Sequence, residues 1–252
     1  MDSILQNFFD FGQMGQTVGP LISYGIRNTL FLAIAASVIG IVIGMVLALM
    51  GLSHRWWLKA PARVYTDVFR GLPAVVVILL IGQGLYSLGV PGISGSPYPL
   101  GITALGLMAG AYIGEILRSG IQSVEKGQGE AARALGLSHS QSMRLIVVPQ
   151  GVRRVLPALV NQFIGIIKDS SLVYFLGLVM TEREIFRIGQ EQAVASGNLS
   201  PLVAAGIAYL ILTVPLTHLV NYIDKRLREG GDVAGTALDP VADPVLVEGN
   251  TA

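Results

Sequence analysis

Residues 30–52 read LFLAIAASVIGIVIGMVLALMGL, 23 residues without one charged side chain. An α-helix rises 1.5 Å per residue, so about 20 apolar residues cross the roughly 30 Å hydrocarbon core of a bilayer. The run reads as a transmembrane helix, and the composition around it agrees. The chain has 252 residues, 52% hydrophobic and 13% charged, with a mean hydropathy of +0.62. A soluble domain carries about 25% charged residues, so an integral membrane protein is expected. There is no cysteine, which excludes a disulfide framework, a thiolate metal site and a cysteine nucleophile. His54, His139 and His218 are scattered without metal-ligand spacing, so no metal site is expected.

Four further segments approach a spanning length: Leu72 to Val90, Leu100 to Leu117, Val155 to Met180 and Pro201 to Ile223. The fourth of the five contains Lys168 and Asp169, but the apolar stretches on either side are each too short to cross alone. Cytoplasmic loops carry the excess of Lys and Arg. Thirteen of the 17 Lys and Arg fall between the first and second spans, between the third and fourth, or behind the fifth, against Arg27, Arg183 and Arg187 on the other side. The sequence thus predicts an all-α polytopic protein with five transmembrane helices, the N-terminus outside and the C-terminus in the cytoplasm. Residues 1–23 read as an extracytoplasmic segment and 24–228 as the membrane domain. The acidic, Pro- and Gly-punctuated tail 229–252 reads as disordered.

Between the third and fourth spans lies a polar island, EAARALGLSHSQSMRLIVVP, residues 130–149, within a loop of about 121–150. EAARAL is a run of helix formers and Gly136 stands where a C-terminal cap glycine belongs. Ser138 followed by Gln141 has the form of a capping box, and Pro149 marks a break after a second helix. The island therefore predicts a helix, a tight turn and a helix. Its physics alone fits either an amphipathic connector on the membrane surface or a docking element for a cytoplasmic partner.

Glu130-Ala131-Ala132, three residues, Gly136, nine residues, Ile146, one residue and Val148-Pro149 resemble the EAA signature of permease subunits in binding-protein-dependent ABC importers, with Val148 in place of the usual Leu. AYIGEILRSGIQSVEKGQGEAARALGLS and VVPQGVRRVLPALVNQFIGIIKDSSLV resemble the polar amino-acid branch of that family, the histidine, glutamine and arginine type, and the likeness runs from about Tyr24 to Arg228. The resemblance implies a type I ABC importer-like fold and a coupling helix seated in a groove of a separate ATP-hydrolysing subunit. Glu130, Ala131, Ala132, Gly136, Leu137 and Ser138 would form that coupling element, with Glu130 as its polar anchor unless it caps or solvates its own helix end. It further implies two ATP-binding subunits, a second permease subunit, an extracytoplasmic solute-binding protein and an amino-acid substrate, with membrane lipid around the chain and no nucleic acid. The chain has no G-x-x-x-x-G-K-[ST], so it binds no cofactor itself, and ATP and Mg belong to the partner.

Ionisable groups inside a span are costly and face a cavity or one another. Lys168 and Asp169, with the hydroxyls of Ser170 and Ser171, fit either a path for a zwitterionic solute or polar contacts between helices. Asp67 with Arg70, and Glu115 with Arg118, are three residues apart and fit structural ion pairs at the cytoplasmic boundary or a gate. Gly106, Gly110 and Gly114 make a small-residue stripe, as do Gly40 and Gly44, suited to close helix packing at a dimer or gating interface. Pro73 and Pro215 are placed to kink their helices. No catalytic constellation is evident and an enzyme is not expected. The rival reading is a secondary transporter with Lys168 and Asp169 as ion-coupling groups. It is opposed by an odd span count without an inverted repeat.

Overall fold

The computed structural model describes residues 6–178 and 180–236, and the regular structure among them is helical throughout. Helix α1 (Phe11–Pro20) passes through one π turn into α2 (Ile26–Leu52). There follow α3 (Trp56–Gly71), α4 (Ala74–Ser87), α5 (Pro97–Gln122), α6 (Lys126–Ala134), α7 (His139–Ser142) and α8 (Val148–Arg154). Helix α9 (Leu156–Asp169) tightens into a 3-10 turn (Ser170–Leu176), and α10 (Ile185–Ser196) and α11 (Ser200–Thr236) complete the chain.

The largest interface joins α2 to α5, and its contacts ascend together along both helices, so the two run parallel. The two glycine stripes meet there. A Cβ on Gly44 would lie 2.8 Å from the backbone nitrogen of Gly114, one on Gly40 2.7 Å from the Ala109 Cβ, and one on Gly110 2.7 Å from the Ile43 Cγ2. The stripes expected at a dimer or gating interface therefore form an internal seam, where missing side chains let the backbones close. Leu105, Ile78, Ile167 and Val173 fill the core beside it.

Parallel α2 and α5 require the chain to return between them. The return is made by α3 and α4, which meet at an angle of 111° across Leu72 and Pro73. Pro73 lacks an N–H and disfavours helix at the residue before it, so the chain bends there and the helix of the expected span 72–90 runs from Ala74 to Ser87. The expected span 155–180 is interrupted. After Asp169 the hydroxyls of Ser170 and Ser171 donate to the carbonyls of Ile167 and Lys168, both at 2.7 Å, and the helix narrows to 3-10 before Gly177 at φ +80°. Among the described residues, three helices are long and apolar enough to cross a membrane, residues 6–52, Pro97–Gln122 and Ser200–Arg226, with the bent α3–α4 pair as a fourth crossing if counted as one. The chain is all-α and polytopic, and its other membrane segments are built from shorter helices joined at bends. Short half-helices at membrane depth are tolerated because neighbours cover their broken backbone. Pro215 lies inside a continuous α11.

The first segment is helical from Phe11 and is tied to the α10–α11 turn. The Ser200 hydroxyl accepts from Asp10 N at 2.8 Å, and Leu199 N donates to the Asn7 carbonyl at 2.9 Å. Helix α11 continues to Thr236, into the tail expected to be disordered from Glu229, and residues 237–252 lie outside the described residues.

Near the same end, α2, α10 and α11 are joined around Glu184, a fully buried carboxylate. It caps α10, accepting from Phe186 N and Arg187 N at 2.6 Å each, and accepts from the Tyr209 hydroxyl of α11 at 3.0 Å. Thr29 of α2 accepts from Ile185 N at 3.2 Å. Burial pushes the Glu184 carboxyl from 4.5 up to about 7, against the pull of its three hydrogen bonds.

Gly44→Leu should lower stability by about 3 kcal/mol, because backbone cannot yield as a side chain can, and the apparent Tm in detergent by roughly 6–12 °C. Gly84→Leu, with nothing within 4 Å of its Cβ position, is the control and should leave Tm unchanged. For Glu184, the folded state holds a proton that the unfolded state releases between pH 4.5 and about 7, so its contribution to stability falls as pH rises across that window. Thermal unfolding from pH 5 to 8 should show wild type losing stability relative to Glu184→Gln. Parallel curves for the two proteins would contradict it.

Candidate functional site

The polar island folds as its punctuation predicts up to Ser138. At the end of α6, Gly136 adopts φ +91° and donates to the Arg133 carbonyl at 3.0 Å, while Leu137 N donates to Ala132 O at 3.2 Å. This paired arrangement closes a helix with a left-handed residue that favours glycine. One residue later Gln141 N donates to Ser138 Oγ at 3.3 Å and Ser138 N to Gln141 Oε1 at 2.8 Å, the reciprocal capping box that starts α7. Ser142 also donates to the Gly129 carbonyl at 3.2 Å, clamping the two short helices together.

Pro149 does not end the second helix. Val148 N reaches Met143 O in a π turn, which shifts the hydrogen-bond register just before the proline that lacks a donor, and α8 runs on to Arg154. The break comes instead at Val155, at φ −104° and ψ 8°. The stem α8 is fixed to α5 at one crossing. A Cβ on Gly120 would lie 2.6 Å from the Gly151 carbonyl, and one on Gly151 2.7 Å from the Ile121 Cα. Arg154 donates to the Ser123 carbonyl beside it. The loop is thus a rigid bracket mounted on the end of α5.

The bracket's two faces differ. Ala132 is buried and Leu137 half-buried, whereas Glu130, Ala131, Ala134, Gly136 and Ser138 are exposed and Leu135 is 86% exposed. Of the bracket's apolar residues, Ala132 and Leu137 hold it to the protein and Ala131, Ala134 and Leu135 point away from it. Glu130 lies outside the hydrogen bonds that close either helix end.

The remaining polar residues fall into two places. Lys168 is exposed on α9 and Asp169 half-buried, but Ser170 is fully buried with its hydroxyl turned to its own helix, and Ser171 is bonded likewise. The four do not converge. At the boundary, Glu115 and Arg118 pair, with Nε to Oε2 at 3.0 Å, and Arg118 also donates to Gln122 at 2.7 Å. Asp67 and Arg70 make no ion pair among the described residues, and the Arg70 guanidinium instead lies 5.5 Å from the centre of the Tyr112 ring. All four line one cleft of about 230 Å³ with Lys59 and Arg63.

Sequence reasoning did not single out the buried Glu184 at the other end. The available signal was an acidic residue directly before the helix-like run IFRIGQ, a negative charge placed at the positive end of a helix. Its partner Tyr209 lies 25 residues away and is joined to it only by folding.

Residues 40–229 match the family model described as binding-protein-dependent transport system inner membrane component. The arginine transport system permease protein ArtQ of Bacillus subtilis is 34% identical over 209 residues, covering 83% of this chain and 93% of that protein. The glutamate/aspartate import permease protein GltK of Escherichia coli O6:H1 is 36% identical over 216 residues, covering 82% and 93%. Among solved structures, a crystal structure of an amino acid ABC transporter with histidines aligns with a TM-score of 0.73 at 33% identity, covering 84% of this chain and 96% of that one. With the model matching most of its length, the chain belongs to the binding-protein-dependent transport system inner membrane components, as a multi-pass membrane subunit of an ABC transporter.

Proposed function

We propose that this chain is the permease subunit of an importer for an amino acid or similar small polar solute, with α6 as the helix through which ATP hydrolysis in separate subunits drives it. The observation that carries the reading is the bracket. A capped, nine-residue helix presents Ala131, Ala134 and Leu135 outward, and similarity to amino-acid permeases extends over more than four-fifths of the chain. Two ATP-binding subunits using ATP and Mg, a second permease subunit and an extracytoplasmic solute-binding protein complete the assembly. The charge asymmetry supports a cytoplasmic bracket and C-terminus and an extracytoplasmic N-terminus.

The bracket's mounting supplies a mechanism. Because α8 crosses α5 at backbone distance through Gly120 and Gly151, and Ser142 ties α7 to α6, a push on α6 is passed through these contacts to α5. Helix α5 is in turn sealed to α2 along the glycine seam, so closure of the ATPases moves the α2–α5 pair as a body. Exposed Lys168 offers a cation to a substrate carboxylate at the surface that a second permease subunit would cover, with Asp169 beside it. The buried Ser170 shapes the 3-10 turn and lies in hydrogen-bonding contact with the Tyr209 side chain of α11. The Glu115–Arg118 pair braces the lower end of α5.

Leu135→Glu and Glu130→Lys alter exposed side chains, so both variants should insert and fold. ATP hydrolysis stimulated by the binding protein should fall at least about tenfold, since a buried unpaired charge at an interface costs several kcal/mol. Full stimulation in both would remove α6 from the coupling route. Lys168→Met should reduce ATP-driven uptake in proteoliposomes while basal hydrolysis persists. Uptake driven by an ion gradient without ATP would instead establish a secondary transporter.

A further inference from the structure

Helix α3, WWLKAPARVYTDVFRG, presents three faces. Ala62 is buried, Tyr65 donates to the Leu107 carbonyl of α5 at 2.8 Å, and Phe69 packs on Tyr65 with ring centres 4.4 Å apart, so one face is fixed to the protein. A second face carries Lys59, Arg63, Asp67 and Arg70, all exposed, and forms one wall of the 230 Å³ cleft opposite Gly114, Glu115 and Arg118. A third is apolar and exposed, with Trp57 at 56%, Val64 at 62% and Val68 at 48%, while Trp56, 74% exposed, stands at the N-terminal end of the charged face.

The cleft is unbalanced in charge. Lys59, Arg63, Arg70 and Arg118 face only Asp67 and Glu115, an excess of two positive charges. Glu115 is taken by Arg118, and among the described residues neither Lys59 nor Arg63 has a carboxylate within ion-pair distance. A pocket with surplus cations selects an anion. A basic pocket beside an exposed apolar strip on the same helix selects an amphiphile, with a charged head and an apolar body side by side. The Trp56–Trp57 pair, with the Arg55 guanidinium 5.7 Å from the Trp57 ring, is the composition that settles at the depth of lipid headgroups.

We infer that an anionic phospholipid docks on α3, its phosphate held in the cleft by Lys59 and Arg63 and its acyl chains along Trp57, Val64 and Val68. The lipid belongs to the leaflet next to the bracket, whichever compartment that leaflet faces, so the inference stands apart from the import reading. It ties α3, the lower arm of the bent pair, to the end of α5 that carries the bracket.

The test is native mass spectrometry of the full transporter complex released from nanodiscs of phosphatidylcholine with phosphatidylglycerol. Wild type retains phosphatidylglycerol selectively, and the double variant Lys59→Gln/Arg63→Gln loses retention by about tenfold or more, from the contribution of each basic group near an anionic surface. Assembly with the ATP-binding subunits is the control for folding, and Lys59→Arg/Arg63→Lys, which keeps both charges, retains the lipid. Val64→Gln/Val68→Gln also weakens retention. Equal retention of phosphatidylcholine, or undiminished retention in the Gln double variant, overturns the proposal. So does displacement of the lipid by excess inorganic phosphate together with indifference to the Val64 and Val68 changes, which would mark a site for free anions.

Discussion

The backbone approach of Gly44 to Gly114 is the constraint on which the rest of the molecule rests. Association of helices within a bilayer gains little from excluding water, so close packing and dispersion must hold two apolar rods together. Glycines spaced four apart on both α2 and α5 remove the side chains that would hold the axes apart, and Ile39, Ile43 and Ile113 fill the grooves between them. Because the pair is parallel, the chain between has to recross the layer. That requirement forces the α3–α4 excursion, and Pro73 supplies the break at which it turns.

The bracket depends on the same logic at smaller scale. Gly120 and Gly151 let α8 cross α5 at backbone distance, and everything from Gln122 to Val148 hangs from that crossing. The Gly136 closure, the Ser138 capping box and the Ser142–Gly129 bond then fix the angle between α6 and α7, with only Ala132 and Leu137 packed inward. Nearly all the outward surface is thereby left free. At the opposite end, Glu184 performs the corresponding task with charge, drawing the α10 N-terminus and the Tyr209 hydroxyl around one buried carboxylate. One end of the molecule is organised by absent side chains and the other by a buried polar one.

Local signals in the chain were reliable where the physics is local. The uncharged run 30–52 is a helix because no other structure satisfies its backbone in hydrocarbon. Gly136 and Ser138 set cap geometry within a turn of themselves, and Glu115 finds Arg118 one turn away. Where the competing forces were distant, the same kind of reading failed. Asp67 has the right spacing for Arg70, yet the guanidinium lies over Tyr112, a residue of another helix. Pro149 has a breaker's chemistry, but a π turn upstream absorbs its missing hydrogen bond.

The sequence by itself determined an all-helical membrane protein, the position and caps of the polar bracket, and the small-residue stripes, because hydropathy, capping and missing Cβ atoms act over a few residues. Only the tertiary structure decided that the stripes face each other within one chain, that the span around Lys168 is broken, and that Ser170 turns inward while Lys168 turns out. These outcomes depend on which helix lies alongside which. A side chain's direction within a span is set by that neighbour and by the local pitch of the backbone, and neither is encoded in the run of residues that contains it.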